Sequence, residues 1–250
     1  MAVDAVHERS RSAETARVVR AWDLPTRLFK WSLVLLVVMA YVTQKGGGPW
    51  LEWHLWNGYA ILILIVFRLL WGFFGSSTAQ FRSWVTWPWR ALAYGYKLAR
   101  GRGGKYLGHN PLGGWMIIAL LTFVTAQGVT GLFTVDSNGV VGGPFANLEF
   151  GDPTAVQRFM SRWHHWLYYI LLGFVALHIA VNFIYQFIKR DPLIQAMVSG
   201  WKPAEPYSDQ PEMRSPGALG LRAVLCLAAA VVIVLGGVRL FGGVLPPPLG

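Results

Sequence analysis

The chain alternates long apolar runs with shorter polar, basic and proline- or glycine-rich stretches. Five runs approach or exceed the roughly 20 apolar residues that cross the hydrocarbon of a bilayer. They fall at about 28–44, 54–75, 112–134, 164–188 and 217–241. The pattern predicts an all-α membrane protein: a four-helix transmembrane bundle from 28 to 190, a proline-rich linker at 191–216 and a fifth, peripheral transmembrane helix at 217–241. Residues 1–27 and 242–250 are expected to be tails. The 191–216 stretch holds Pro192, Pro203, Pro206, Pro211 and Pro216, which suggests a spacer that sets the last span apart. Between the third and fourth spans, Asp136-Ser137-Asn138-Gly139 and Gly151-Asp152-Pro153 are turn signals.

Composition agrees with this pattern. The chain is 54% hydrophobic and 14% charged, against about 25% charged in an ordinary soluble domain. Thirteen Trp and nine Tyr suit aromatic belts at the two interfaces. The net charge of +10 would suggest nucleic acid in a soluble chain. Here the basic residues lie between spans, which excludes that reading and sets the orientation instead. Fifteen Lys and Arg fall on one side (the first tail, 76–111 and 189–216) and four on the other. The positive-inside rule then predicts a cytoplasmic N-terminus and a periplasmic C-terminus in a bacterial inner membrane. The first tail mixes Asp4, Glu8 and Glu14 with its arginines and is followed by no small-residue cleavage site, so it is expected to stay attached. The 76–111 connection combines basic residues with Trp84, Trp87, Trp89, Tyr94 and Tyr96, which fits a short amphipathic helix on the cytoplasmic surface.

Cys226 is the only cysteine, and no Cys-x-x-Cys-His occurs. Internal disulfides and covalent c-type haem are therefore excluded, and an iron–sulfur cluster on cysteines is disfavoured. The histidines carry the candidate chemistry. His164 and His178 are 14 residues apart, almost four helical turns, so they share one helix face about 21 Å apart. Two such imidazoles on an apolar helix suggest two metal or haem positions, one toward each membrane face. His165 points about 100° away from that face. His54 opens the second span at the same outer level as His164, and Gly58, one turn later, leaves room for a flat ligand. A b-type haem takes two axial ligands from facing helices and no covalent link. His178 lies deep toward the cytoplasmic side, where an ionisable group has a functional role by default. Its partner is expected from the start of the first span, where Lys30 stands. Arg68, 14 residues after His54, and Arg27, one turn before Lys30, are candidates to hold haem propionates. His109, just before the third span, is a candidate quinone-carbonyl donor, proton relay or substitute ligand; capping of that span is the competing role. Asn182 is a candidate for a bond across the bundle. Gly128 and Gly131 allow either close packing or porphyrin clearance. His7 has no assigned role.

Several separate motifs now combine: Trp22-Asp23-Leu24-Pro25-Thr26-Arg27-Leu28-Phe29-Lys30-Trp31, Trp53-His54-Leu55-Trp56-Asn57-Gly58-Tyr59, Phe67-Arg68-Leu69-Leu70-Trp71-Gly72, Tyr106-Leu107-Gly108-His109-Asn110-Pro111, and His164 with His178. In order and spacing they resemble the bacterial cytochrome b561 and nickel–iron hydrogenase b-type cytochrome subunit family, over about residues 20–200. The resemblance implies a four-helix bundle holding two b haems, one near each membrane face, that passes electrons between quinone and a partner redox protein. It places His54 and His164 on the outer iron and His178 on the inner one. The chain departs from the family at the fourth ligand, where Phe-His-Trp becomes Phe29-Lys30-Trp31. Three alternatives stay open: Lys30 ligates as a neutral amine; His178 holds the inner haem alone or with His109; or the inner haem is lost and Lys30 snorkels to the headgroups.

The expectation is a respiratory electron-transfer subunit with one or two haems b, working with the lipid bilayer, quinone, and a c-type cytochrome, dehydrogenase or hydrogenase subunit, alone or in a homo- or hetero-oligomer. The alternatives are a haem-degenerate membrane anchor or assembly subunit, and an exposed-haem membrane reductase.

Overall fold

The computed structural model describes residues 17–135, 142–146 and 153–245. Most of the first tail with His7, parts of the loop between the third and fourth spans, and the last five residues lie outside the described residues.

The first span is α1 (Leu24–Gly46). It begins earlier than its apolar run because Asp23 caps it: the Asp23 carboxylate accepts from Thr26 N–H at 2.6 Å, and Pro25 occupies the first turn, where no N–H is missed. It stops at Gly47 and Gly48, both at positive φ (59° and 50°), a region glycine enters without strain. The second span, α2 (Trp50–Phe74), starts a turn before its expected limit. A surface helix, α3 (Pro88–Ala99), follows a helical turn at Phe81–Trp84. The third span is α4 (Pro111–Gly131), capped by Asn110, whose side chain accepts from Gly113 N–H at 2.8 Å.

The fourth span is α5 (Pro153–Phe183), extended by one π-helical turn at Ile184–Ile188. It begins about three turns before the apolar run, so His164 lies inside the helix, not at its mouth. Polar and basic residues such as Gln157, Arg158 and Arg162 hid this start, and Gln157 donates to the Ala146 carbonyl of the preceding loop. The fifth span runs over Leu219–Leu240 and opens with α7 (Leu219–Val231).

The second span is the hub of the bundle, packing against the first, third and fifth, while the fourth packs against the third. In lipid no hydrophobic force drives helices together, so close packing must do it. Ile61, Ile65, Val124 and Leu171 meet at mid-bundle, with Leu33, Val37, Phe123 and Val175 around them. This apolar plug separates two polar niches, one at each end. The fifth span lies outside the other four, where Cys226 and Ala230, both small, let it settle on Phe67 and Trp71.

The 191–216 connection is folded onto the end of the bundle away from His54 and His164, called inner after the expected orientation. It contains α6 (Leu193–Ser199) and a strand, β2 (Trp201–Pro203), which pairs antiparallel with β1 (Val18–Arg20) in the register Val18↔Pro203, Val19↔Lys202, Arg20↔Trp201. Lys202, 1% exposed, forms an ion pair with Asp191 at 2.9 Å and donates to the Tyr106 carbonyl at 3.0 Å. Asp209 accepts from the N–H groups of Leu107 and Gly108 at 2.8 and 3.0 Å. The prolines therefore punctuate a cap, not a free spacer. Prolines mark turns equally well in both, and only the long-range pairing separates the two.

Candidate haem-binding niches

The outer niche is built from α1, α2, α4 and α5. His54 on α2 and His164 on α5 face each other with ring centroids 6.4 Å apart and planes at 89°. Each ring is oriented by a neighbouring helix. His54 Nδ1 lies 2.9 Å from the Ala40 carbonyl of α1, and His164 Nδ1 lies 2.9 Å from the Gln127 carbonyl of α4. A carbonyl only accepts, so Nδ1 carries the proton in both rings and Nε2 keeps its lone pair. A metal-bound histidine shows the same pattern, its outer nitrogen donating to a fixed oxygen. Two imidazoles on one metal at about 2.0–2.1 Å each have centroids a little over 6 Å apart, and the observed separation is of that size.

One further feature of this niche fits a porphyrin. A Cβ on Gly58 would meet nothing within 4 Å, so the space over the first turn past His54 is open. The Gln127 amide occupies His164 Nε2 at 3.2 Å, the nitrogen a metal would take, so this amide has to swing aside for the ring to ligate; its own Oε1 is buried without a partner. Gly131 acts on the ring directly: a Cβ there would lie 3.0 Å from His164 Cε1, so glycine lets the third span approach. Gly128 is plain helix packing, its place filled by Leu62. His165 is exposed and turned away from the niche.

The inner niche differs in kind. Lys30 does not project freely: Nζ lies 2.9 Å from Met197 Sδ and 4.2 Å over the Trp22 ring. Arg27 Nη1 donates to the Val198 carbonyl, and Trp31 Nε1 donates to the Met197 carbonyl at 3.2 Å. Three side chains on adjacent turns of α1 thus clamp the end of α6. Sequence reading missed Met197 altogether, because nothing local ties it to a residue 167 positions away. His178 Nε2 faces the Asn182 amide at 3.1 Å, and Asn182 also bonds back to the His178 carbonyl, so Asn182 serves its own helix instead of crossing the bundle. His109 lies between Trp22 and Trp84, at centroid distances of 5.0 and 5.5 Å. Burial pushes its pKa well below the ordinary range, and the nearby positive charges of Lys30 and Arg68 add to the effect. It is therefore held neutral. The cap of the third span is the neighbouring Asn110, not His109.

Arg68 is 3% exposed, its guanidinium set between Phe81 at 5.2 Å and Trp84 at 5.6 Å. Asp23, fully buried, welds this corner together. Besides capping α1, it accepts from Ser76 Oγ and, at 3.4 Å, from Trp71 Nε1, which also donates to Thr26 Oγ1 at 3.1 Å. Unlike the outer niche, the inner one has no facing imidazole pair: His178 is engaged by Asn182, His109 is packed between Trp22 and Trp84, and Lys30 is engaged by Met197 and Trp22.

A helical bundle of five membrane-length apolar segments with two facing imidazoles, each locked through Nδ1, has the features of a membrane b-type cytochrome. The chain belongs to the prokaryotic cytochrome b561 family, whose model matches residues 21–200. It is 25% identical over 213 residues to a probable Ni/Fe-hydrogenase B-type cytochrome subunit of Azotobacter chroococcum mcd 1, covering 74% of this chain and 88% of the relative. The figures are the same for the protein of that name from Azotobacter vinelandii. The counterpart from Rhizobium leguminosarum bv. viciae is 23% identical over 230 residues, covering 80% and 94%. No solved structure matches the chain. Membership of this family implies haem b, and the donor set of the outer niche fits it. The fifth span lies beyond the residues that the family model matches.

Proposed function

We propose that this protein is the electron-carrying membrane subunit of a redox complex, with a haem b held by His54 and His164 at the outer end of the bundle. The observation that carries the reading is the facing imidazole pair with both Nδ1 groups bonded to backbone carbonyls. The haem supplies a reversible one-electron couple. The chain fixes the two rings at right angles and orients each through a backbone carbonyl, of Ala40 and of Gln127.

The electrons run between the quinone pool and a partner redox protein. The names of the relatives favour a nickel–iron hydrogenase subunit as that partner, ahead of a c-type cytochrome or another dehydrogenase. The excess of Lys and Arg in 76–111 and 189–216 supports an inner-membrane orientation with the outer niche toward the periplasm. The experiment is haem b per polypeptide on the purified protein, with its reduced spectrum, in the natural chain and in His54→Ala and His164→Ala. Loss of the same haem from both variants is expected. A spectrum unchanged in either one overturns the assignment.

The engagement of Lys30 with Met197 and Trp22 favours a second form of this reading, in which the inner position has no second iron ligand and the chain is a one-haem cytochrome. Lys30, Arg27, Arg68, His109 and His178 then serve the inner niche in other ways. One haem per chain, unaltered in His178→Ala, is the expected result in that form; two haems restore the two-haem form.

A further inference from the structure

We propose that the inner niche is an anion site, in which Arg68 holds a carboxylate- or phosphate-type group at membrane depth. The niche is organised as a row of alternating cationic or imidazole groups and aromatic rings. Lys30 Nζ lies over Trp22, Trp22 packs on His109, His109 packs on Trp84, and Trp84 and Phe81 flank the Arg68 guanidinium. The rings fix the positions of the basic groups but do not neutralise them. Arg68 is always protonated, and burial strips its charge of water, so a counter-ion is required.

Among the described residues no acid fills that need. Asp23 is the acidic neighbour within electrostatic reach. Its oxygens are already engaged by the Thr26 N–H, the Ser76 hydroxyl and the Trp71 indole. Among the described residues Arg68 has no salt bridge, and its Nη1 is buried without a partner. A guanidinium fork with a free nitrogen and aromatic walls is suited to a planar or tetrahedral oxyanion. Two sources have that chemistry at this depth: the propionates of a second haem b, and the phosphate of an anionic phospholipid. Only the first depends on the cytochrome reading above.

The test compares the natural protein with Arg68→Gln, Arg68→Lys and the exposed control Arg82→Gln, all purified as full chains. Haem b per chain and midpoint potentials are measured. The delipidated proteins are then offered phosphatidylglycerol or phosphatidylcholine, and retained lipid is counted by native mass spectrometry. If the anion is a propionate, the natural chain carries two haems, and Arg68→Gln loses one or lowers one midpoint potential. If it is a lipid phosphate, the natural chain prefers phosphatidylglycerol, and Arg68→Gln weakens that retention about tenfold, as loss of a charged hydrogen bond would. Arg68→Lys keeps the charge and loses the fork, so it is expected to weaken either property by a smaller factor, and it decides the matter should Arg68→Gln not fold. Arg82→Gln changes neither. The proposal is overturned if the folded Arg68 variants match the natural chain in haem content, potentials and lipid preference. A chain with no haem at all would instead break the cytochrome reading, leaving the lipid arm to decide this one.

Discussion

The two ends of the bundle use their polar residues in opposite ways. At the outer end, two neutral imidazoles meet across the helices, and each has its second nitrogen fixed by a carbonyl of a neighbouring helix. At the inner end, Lys30, Arg68 and His109 are threaded between aromatic rings, and Lys30 is drawn toward a methionine of the cap. One end is arranged to offer lone pairs, the other to offer positive charge. Lone pairs bind metal, and fixed cations bind oxyanions or hold a structure together. Lys30, engaged with the Trp22 ring and the Met197 sulfur, is the residue at which the two ends differ most. The amine reaches about as far as an imidazole but ligates only when it is neutral, whereas as a cation it favours a ring face and a sulfur.

The comparison is broken most strongly at the imidazoles. His164→Ala is expected to empty the outer niche of haem, while His178→Ala leaves the outer haem's spectrum as it was; equal losses from the two variants would erase the distinction. Next is the corner at Asp23. Asp23→Ala strands the Ser76 hydroxyl and the Thr26 N–H and removes one of the two acceptors of the Trp71 indole, so unfolding free energy should fall by about 1–3 kcal/mol with the outer spectrum intact. Denaturation in detergent measures it, and a neutral result would mean that water replaces the carboxylate.

Lys30→Ala removes the Met197 and Trp22 contacts together. About 1–2 kcal/mol of stability should be lost, given typical charged hydrogen bonds and cation–aromatic contacts. The 191–216 cap should become open to proteolysis first. An unchanged cleavage pattern there would separate Lys30 from the cap.

Gly131→Ala places a methyl 3.0 Å from the His164 ring. It should rotate that ring and shift the reduced spectrum without loss of haem, at a cost of about 1 kcal/mol. The smallest effect is a pH slope. His109 is held neutral in the fold, so acidification through its ordinary range protonates the unfolded chain first. Stability is complete above about pH 6.5 and declines as the pH drops below it. His109→Gln should flatten that slope, which unfolding measured at several pH values would show.

Much of the architecture was legible before any coordinates. Hydropathy alone separates five spans, because the bilayer demands about 20 apolar residues per crossing and tolerates little else. The 14-residue interval from His164 to His178 places both on one face by helical geometry. The limits of the spans were less legible. Asp23 and Asn110 start helices with polar side chains, and α5 begins well before its apolar stretch, where hydropathy carries no signal. The 191–216 connection is a further case. Pro and polar residues describe a linker and a folded cap equally well, and the buried Lys202–Asp191 pair could not be inferred from either residue's neighbours.

The sequence by itself determined the class of protein, the number of membrane crossings, and which histidines share a helix face. These follow from local composition and from a period of 3.6 residues. Only the tertiary structure decided that His54 and His164 come within 6.4 Å, that Lys30 turns to Met197 and Trp22, and that Arg68 is left with a free nitrogen between two aromatic rings. Apart from the Lys30–Trp22 contact, each of these joins residues of different elements well separated in the chain. A helix face specifies a direction, but the group it meets depends on how neighbouring helices are packed and capped.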